Sequence, residues 1–326
     1  MTVSHSKKIV FCGSDEIALP MLDFLSSLAG VSIVGIITQP DRRMGRGRKF
    51  QENKIKLWGK ERKIEIKTPN RPGVEEIEWL KDECVDLVLV MAYGHILTQN
   101  FLNSPSLGCF NLHASLLPSY RGASPIETSL ALGDQQTGVT LIRMVKKMDA
   151  GPIIGKVRVP VSENETGISL RHKIGAACVP LLTIYFPKLL AGTAKETSQE
   201  EKQVNYCRKL RKEDSFLDFS LSATELDFRI RSFLSWPGNT FSYEGITLKV
   251  GKCSVETEDE LKPGEISIND NMDFKIGTAK GSLKILELQK PGGKMLPIAD
   301  FLRGFPMKET YKLTFPIARA LVSEKF

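Results

Sequence analysis

The chain has 326 residues, of which 41% are hydrophobic and 25% are charged, and its net charge is +7. This composition excludes a disordered or fibrous protein and allows about two globular domains, while the positive charge permits an anionic partner without identifying one. The six cysteines contain no Cys-x-x-Cys pair, which favours reduced core thiols. We expect a cytoplasmic protein, because no apolar run approaches the ~20 residues of a membrane helix and the N-terminus lacks a targeting pattern.

Short apolar strands alternate with helices along the first half of the chain. A helix follows Gly13, a second is predicted at 125–132, and a third at 169–190 carries two prolines that predict a kink or break. Near-continuous apolar strands separated by helices indicate an α/β fold with a doubly wound, mostly parallel sheet covered on both faces. The predicted strands are 9–12, 31–38, 64–67, 86–91, 109–113 and 138–145.

The loop after the first strand does not carry a nucleotide-binding fingerprint. Only Gly13 is present where a dinucleotide loop needs Gly-x-Gly-x-x-Gly, and no Gly-x-x-x-x-Gly-Lys-Ser/Thr string occurs. We therefore expect neither NAD nor ATP, since the glycines that let a phosphate approach the backbone are missing.

The second half of the chain has a different pattern. Residues 192–207 are mainly polar and lack apolar periodicity, which is typical of a linker. After a helix at 223–234, five short strands are predicted at 240–243, 246–250, 264–268, 274–277 and 283–288, and such strands separated by Gly, Asn and Asp turns suggest a small barrel. The predicted domains are 1–191 and 208–326.

The chemistry centres on the stretch CFNLHASLLPSYRGASP, residues 109–125. It opens as a strand in which Asn111 and His113, two residues apart, point to the same face. Pro118 and Gly122 then turn the chain. Because ligands bind beyond the strand ends of open α/β sheets, these two polar side chains are candidate functional residues.

The string NLHASLLPSYRGASP resembles the signature of the folate-dependent formyltransferases. In that superfamily, Asn-x-His and Ser-Leu-Leu-Pro are followed some 35–40 residues later by an Asp-x-Gly turn, for which this chain offers Asp149 in MDAGPII. The resemblance covers nearly the whole chain and is greatest to the members that act on methionyl-tRNA. It includes Lys209–Glu213, Asp218-Phe219-Ser220 and Trp236-Pro237-Gly238, whereas Ala114 and Phe219 replace the usual Gly and Trp.

The resemblance implies a Rossmann-like catalytic domain, an OB-like C-terminal domain that binds tRNA, and direct formyl transfer from 10-formyltetrahydrofolate without a metal. Asn111 would donate to the formyl oxygen and help place N10 of the folate. His113 would stabilise the oxyanion or take a proton, and Asp149 would hold the imidazole and help relay protons. The implied folate-binding residues are Ser115, Leu116, Leu117, Pro118, Ile96 and Leu97.

A basic segment follows the second predicted strand. Five cations stand there against the single acid Asp41, and Gly45 and Gly47 allow tight bends. The resemblance implies that this segment contacts the acceptor end of initiator methionyl-tRNA, since arginine forks suit phosphates and base edges. The candidate tRNA-binding residues are Arg42, Arg43, Arg46, Arg48 and Lys49.

Three alternatives remain open from the residues. The same fold could formylate an amino sugar nucleotide or transfer the formyl group to water as a hydrolase, but neither small acceptor needs the basic segment and the barrel. A non-catalytic RNA-binding protein is disfavoured by the intact set of Asn111, His113 and Asp149. We expect a monomer and no association with membranes.

Overall fold

The computed structural model describes residues 6–44, 49–309 and 311–325. Within them the helices are α1 (Leu19–Ser26), α2 (Lys54–Glu61), α3 (Val74–Asp82), α4 (Gln99–Leu102), α5 (Pro125–Ala131), α6 (Gly167–Leu190), α7 (Ala223–Ser232) and α8 (Ile298–Gly304). The strands are β1 (Lys7–Cys12), β2 (Val31–Ile37), β3 (Arg42–Met44), β4 (Lys49–Gln51), β5 (Glu65–Lys67), β6 (Leu87–Val90), β7 (Gly108–His113), β8 (Arg121–Gly122), β9 (Gln136–Arg143), β10 (Ile153–Pro160), β11 (Tyr206–Cys207), β12 (Thr240–Tyr243), β13 (Ile246–Glu256), β14 (Ile266–Ile268), β15 (Phe274–Gly277), β16 (Ser282–Gln289), β17 (Leu296–Pro297) and β18 (Val322–Ser323).

The first half of the chain forms a seven-stranded sheet in the order β10-β9-β7-β6-β1-β2-β5. The five strands from β7 to β5 are parallel, and β9 and β10 are antiparallel to their neighbours. The predicted doubly wound, mostly parallel sheet is therefore confirmed. The sequence reasoning missed β10, whose exposed Lys156 and Arg158 interrupt the apolar run because this edge strand buries mainly one face.

Helix α6 packs on this sheet and on α1, and its inward residues join the main core. It begins after Thr166, whose hydroxyl accepts a hydrogen bond from the Ser169 N–H. The helix continues through Pro180 and Pro187, so of the predicted kink or break the break does not occur. Among the described residues it is also the one helix that is long and apolar enough to cross a membrane, as a core helix can be.

The second half of the chain forms an antiparallel sheet in the order β12-β13-β16-β15-β14, with β17 beside β16. Register shifts near Val250 and Lys252 bend the long strand β13, as bulges do in barrels. Helices α7 and α8 pack on the sheet. Phe219 is fully buried there, and its ring meets the rings of Phe241 and Phe315 edge-on. The predicted barrel-like second domain is confirmed as a curved half-barrel.

A small three-stranded sheet joins the two halves. Strand β11 pairs in parallel with β8, which lies in the stretch of candidate catalytic residues, and antiparallel with β18 near the C-terminus. The last two residues of the predicted linker 192–207 therefore pair with Arg121 and Gly122, which lie in the stretch that carries Asn111 and His113.

Candidate active site

The end of β7 carries two of the three predicted catalytic side chains. Asn111 lies between Val90 of β6 and Ile142 of β9, and His113 is the last residue of the strand. Their side chains share one face, and the side chain of His113 is only 6% exposed. Strand β7 therefore presents an amide and an imidazole at the carboxyl edge of the sheet.

The third predicted residue, Asp149, lies in a turn that brings its carboxylate to the other two. Its Oδ2 is 3.6 Å from Nδ1 of His113, and its Oδ1 is 3.5 Å from the amide nitrogen of Asn111. Asp149 adopts a left-handed conformation with φ 50°. A Cβ on Gly151 would lie 1.7 Å from the carbonyl oxygen of Arg143, so the turn requires glycine there.

A backbone N–H fixes the orientation of the Asp149 carboxylate. The N–H of Gly122 donates to Oδ2 at 2.8 Å, and this is the oxygen that faces His113. Hydrogen bonds to a charged group are shorter and stronger than neutral ones. The turn after β7 therefore ends the strand and also positions the carboxylate of Asp149.

The opposite side of the His113 ring is held by the same turn. Nε2 lies 2.8 Å from the carbonyl oxygen of Tyr120, so it is the donor in that hydrogen bond. The Tyr120 hydroxyl donates to Asp134 at 2.7 Å. Burial of the phenol raises the pKa of Tyr120, and the neighbouring carboxylate raises it further. The Tyr120 N–H donates to the side chain of Asn205. Both ring nitrogens thus face oxygens, and an imidazolium could donate to both.

These three side chains open onto a cavity of about 720 Å³, which is within the range of small-molecule sites. The loop after β6 lines one part of it, including Ile96 and Leu97 from the predicted folate set. Leu97 is buried and Ile96 is exposed. Apolar side chains such as Met91 and Leu102 dominate this part of the wall, which suits the face of a flat heterocycle.

The other four predicted folate residues, Ser115, Leu116, Leu117 and Pro118, do not line this cavity. They build the turn instead. The hydroxyl of Ser115 donates to the carbonyl oxygen of Ser119, and Thr140 of β9 holds the carbonyl of Ser115 and the N–H of Leu117. Burial lowers the pKa of Lys156, whose ammonium donates to the Leu117 carbonyl. Their sequence signature reflects the shape of the turn that holds His113.

Three further lining residues of the cavity were not assigned to it from the sequence. Trp236 and Lys209, which follow the linker, line the cavity together with Arg171 of α6. Arg171 forms ion pairs with Asp15 and Glu127. Trp236 is 49% exposed, and it also lines an adjoining pocket of about 370 Å³ between the two halves of the chain. The resemblance of Lys209–Glu213 and of Trp236-Pro237-Gly238 to the superfamily was the signal that could have found these lining residues.

The basic segment begins near the rim of this cavity. Gln39 lines the cavity and donates to the Tyr93 carbonyl oxygen at 2.6 Å, and Asp41 is 2.7 Å from the Lys56 ammonium. Strands β3 and β4 then pair antiparallel within the basic segment. The backbones of Arg42, Arg43 and Lys49 belong to this pair, whereas Arg46 and Arg48 lie outside the described residues.

No group of three or more His, Cys, Asp or Glu side chains that could hold a metal occurs in residues 6–44, 49–309 and 311–325. The geometry is that of an amide, an imidazole and a carboxylate side by side. Such a set can donate to a developing oxyanion and move a proton.

Comparison with known families and proteins agrees with this geometry. Residues 7–180 match the family described as "Formyl transferase", and residues 209–306 match the family described as "Formyl transferase, C-terminal domain". The chain is 36% identical over 300 residues to a methionyl-tRNA formyltransferase of Halorhodospira halophila, and the match covers 91% of this chain and 96% of that protein.

Two solved structures share the fold at lower identity. The N-formyltransferase of Helicobacter canadensis, in complex with folinic acid and dTDP-3-aminofucose, is 18% identical with a TM-score of 0.65, covering 87% of this chain and 100% of that one. HypX of Aquifex aeolicus, in complex with tetrahydrofolic acid, is 17% identical with a TM-score of 0.60. That match covers 96% of this chain but 51% of HypX.

Proposed function

The chain belongs to the formyl transferase family, and we propose that it moves the formyl group of 10-formyltetrahydrofolate to the α-amine of methionyl-initiator-tRNA. The observation that carries the proposal is one cavity that both halves of the chain line. Its lining includes Asn111, His113 and Asp149 as well as Lys209 and Trp236, which follow the linker. A site closed by a second domain suits an acceptor that reaches the reacting centre from a macromolecule.

The proposed reaction is direct attack of the amine on the formyl carbon. An α-amine has a pKa of about 7.7–8.0, so a useful neutral fraction exists near pH 7 and no covalent enzyme intermediate is needed. The tetrahedral centre carries a negative oxygen and a positive nitrogen. Asn111 would donate to that oxygen, because its amide contact with Asp149 is long, at 3.5 Å, and leaves an N–H available.

His113 and Asp149 would handle the proton that leaves the attacking nitrogen. The carboxylate, held by the Gly122 N–H, faces Nδ1, and the Tyr120 carbonyl faces Nε2. The ring is thereby fixed beside Asn111 and can stabilise the oxyanion when protonated or accept a proton when neutral. The proton finally passes to N10 of the leaving folate.

The proposed position of the folate is the part of the cavity behind the loop after β6. Ile96, Leu97 and Met91 would cover the face of the pterin, and backbone groups of the loop would contact its edge. Ala92 and Gly94 have positive φ there, so the loop bends sharply around this part of the cavity.

The proposed acceptor is tRNA rather than a small amine. The relative that matches over most of the chain is a methionyl-tRNA formyltransferase, whereas the sugar N-formyltransferase is below 20% identity and supports the fold alone. The basic strands β3 and β4 leave the sheet at the edge where Asn111 lies, because β2 and β7 are parallel members of one sheet. We also propose that the enzyme works as a monomer in the cytoplasm.

One experiment separates this proposal from its alternatives. Purified protein and 10-formyltetrahydrofolate are incubated with Met-tRNA, free methionine, an amino sugar nucleotide or buffer alone, and formylated product and free formate are measured. We expect product with Met-tRNA alone. Formylation of the sugar nucleotide, or formate release without an amine, would replace the proposal with the corresponding alternative. Tight tRNA binding without turnover would support the alternative of a non-catalytic RNA-binding protein.

A further inference from the structure

We infer that Gln199 is a positioning residue for the reaction, because it holds the turn that aims Asp149 at His113. The inference deepens the proposed function, and it rests on that function because the kinetic tests below measure the proposed formylation. Gln199 belongs to the predicted linker, and no role in the chemistry follows from the sequence pattern around it.

The contacts of Gln199 converge on the Asp149 turn. Its side-chain nitrogen donates to the carbonyl oxygen of Asp149 at 2.7 Å and to that of Gly151 at 2.8 Å. Both N–H groups of one amide are therefore used on one turn, and Gln199 is buried. Asp149 is left-handed, and such a residue keeps its conformation only where the surroundings hold it.

A buried cation fixes the direction of this amide. The Nε of Arg121 donates to the side-chain oxygen of Gln199 at 3.0 Å, and Arg121 has no exposed surface. Its guanidinium also contacts the Tyr206 hydroxyl at 3.4 Å and Glu201 at 3.3 Å. If the amide were rotated, its oxygen would face the two carbonyl oxygens and its nitrogen would face the guanidinium. Only the observed orientation satisfies every group.

The two ends of this chain of contacts meet at the same residue, Asp149. Arg121 is followed by Gly122, whose N–H donates to the Asp149 side chain, while Gln199 holds the Asp149 backbone. The side chain and the backbone of the acid are thus fixed by neighbouring parts of one network. Loss of the Gln199 contacts frees the backbone of the turn and lets the Asp149 carboxylate shift relative to His113. The apolar lining of the cavity is not changed, so kcat should fall more than either KM changes.

The first test replaces Gln199 with methionine, which has a similar length and no donor. We expect kcat to fall about 10- to 100-fold, because a displacement near 1 Å at a reacting group costs about 100-fold. Each KM should stay within about twofold, since the substituted side chain touches neither substrate. Gln199→Glu can still accept from Arg121 but has no N–H for the two carbonyls, and we expect an equal or larger loss.

The matched control is Gln203→Met in the same linker. Gln203 is exposed, and its amide donates to Glu200 at 2.7 Å, away from the turn. Its kcat should equal that of the wild type. Wild-type kcat in Gln199→Met, or an equal loss in the control, would overturn the inference.

A double-mutant cycle distinguishes positioning from general loosening. In an Asp149→Asn background, Gln199→Met should lower kcat by less than twofold further, because there is no carboxylate left to aim. Full multiplication of the two losses would overturn the inference. If the wild type formylates a different amine, the proposed acceptor is wrong, and the cycle is run with that amine. A crystal structure of Gln199→Met gives a readout without activity: a displaced 149–151 turn supports the inference, and an unchanged turn refutes it.

Discussion

Gly122 is the position at which one added methyl group should disable the site while leaving the fold intact. Its φ is +122°, and a Cβ built there would lie 2.2 Å from the carbonyl oxygen of Cys207 in β11. The N–H of the same residue donates to Asp149 at 2.8 Å. Gly122→Ala should therefore disturb both the pairing of β8 with β11 and the orientation of the Asp149 carboxylate.

The expected magnitude follows from these distances. Ordinary contact begins at 3.4 Å, so the two strands must separate by about 1.2 Å. If β8 takes up the shift, the hydrogen bond to Asp149 lengthens to about 4 Å and is lost, at roughly 1.5–3 kcal/mol. The positive φ adds about 1–3 kcal/mol of strain. Together these losses are about 2.5–6 kcal/mol, less than a mid-range stability of about 10 kcal/mol, at which most molecules stay folded. The value of kcat should fall about 100-fold, as for a 1 Å misplacement of a reacting group.

The matched control is Gly192→Ala, which shares the left-handed backbone but not the close contact. Gly192 has φ +67° and nothing within 4 Å of a built Cβ. We expect it to lose about 1 kcal/mol of stability and to keep wild-type kcat. The assay is single-turnover formylation of Met-tRNA at saturating folate, with thermal unfolding of each variant. Unchanged turnover in Gly122→Ala, or equal losses in both variants, would refute the reasoning.

The other predictions concern different parts of the chain. His113→Ala should abolish turnover with tRNA affinity retained, whereas His172→Ala on the exposed face of α6 should have wild-type turnover; turnover in the first variant would remove the proposed role. Arg42→Ala should weaken tRNA binding and flatten its salt dependence by about one unit of slope, and an unchanged slope would contradict this. Burial disfavours the charged form of the Asp214 carboxylate, but the guanidinium of Arg208, at 2.6 and 2.7 Å, and the N–H of Arg211 together outweigh it and lower the pKa of Asp214. Asp214→Asn should therefore cost about 1.5–3 kcal/mol at pH 7, and the difference should vanish on acidification. As pH falls below about 4, the Asp214 carboxyl is protonated first in the unfolded chain, because its pKa is lower in the folded protein. The stabilisation is therefore lost as the pH falls from the unfolded pKa through the folded pKa. A difference in urea unfolding that does not depend on pH would contradict this.

The apolar periodicity was sufficient for the strands that are buried on both faces. Strands β1, β2, β6 and β7 were predicted within two residues at each end, because a parallel strand covered on both sides reads as one apolar run. The antiparallel edge strand β10 alternates with charged residues, and sequence reasoning missed it. Edge strands carry polar side chains on their exposed face, so the sequence of β10 is also compatible with a loop.

Part of the candidate site could be predicted from local sequence patterns, whereas another part depends on contacts between residues far apart in the sequence. The shared face of Asn111 and His113 follows from the two-residue period of a strand. The approach of Asp149 was expected from the resemblance, but the residues that hold it were not. Gln199 and Gly122 act through backbone contacts across long sequence separations, and a single sequence contains no pattern for such contacts.

The position of the linker has a consequence for how the two halves of the chain work together. Strand β11 pairs with β8 on one side and with β18 on the other, so the segment that holds Asp149 is also held by the C-terminal end of the described chain. A bound partner that moves the second half of the chain would act on β11 as well as on the contacts of α7 with α5 and α6, and β11 is hydrogen-bonded to the backbone that orients the acid. The proposed acceptor would touch that half of the chain. We therefore expect acceptor docking and the geometry of the acid to be coupled, and separating the two halves of the chain at the linker should lower turnover with Met-tRNA.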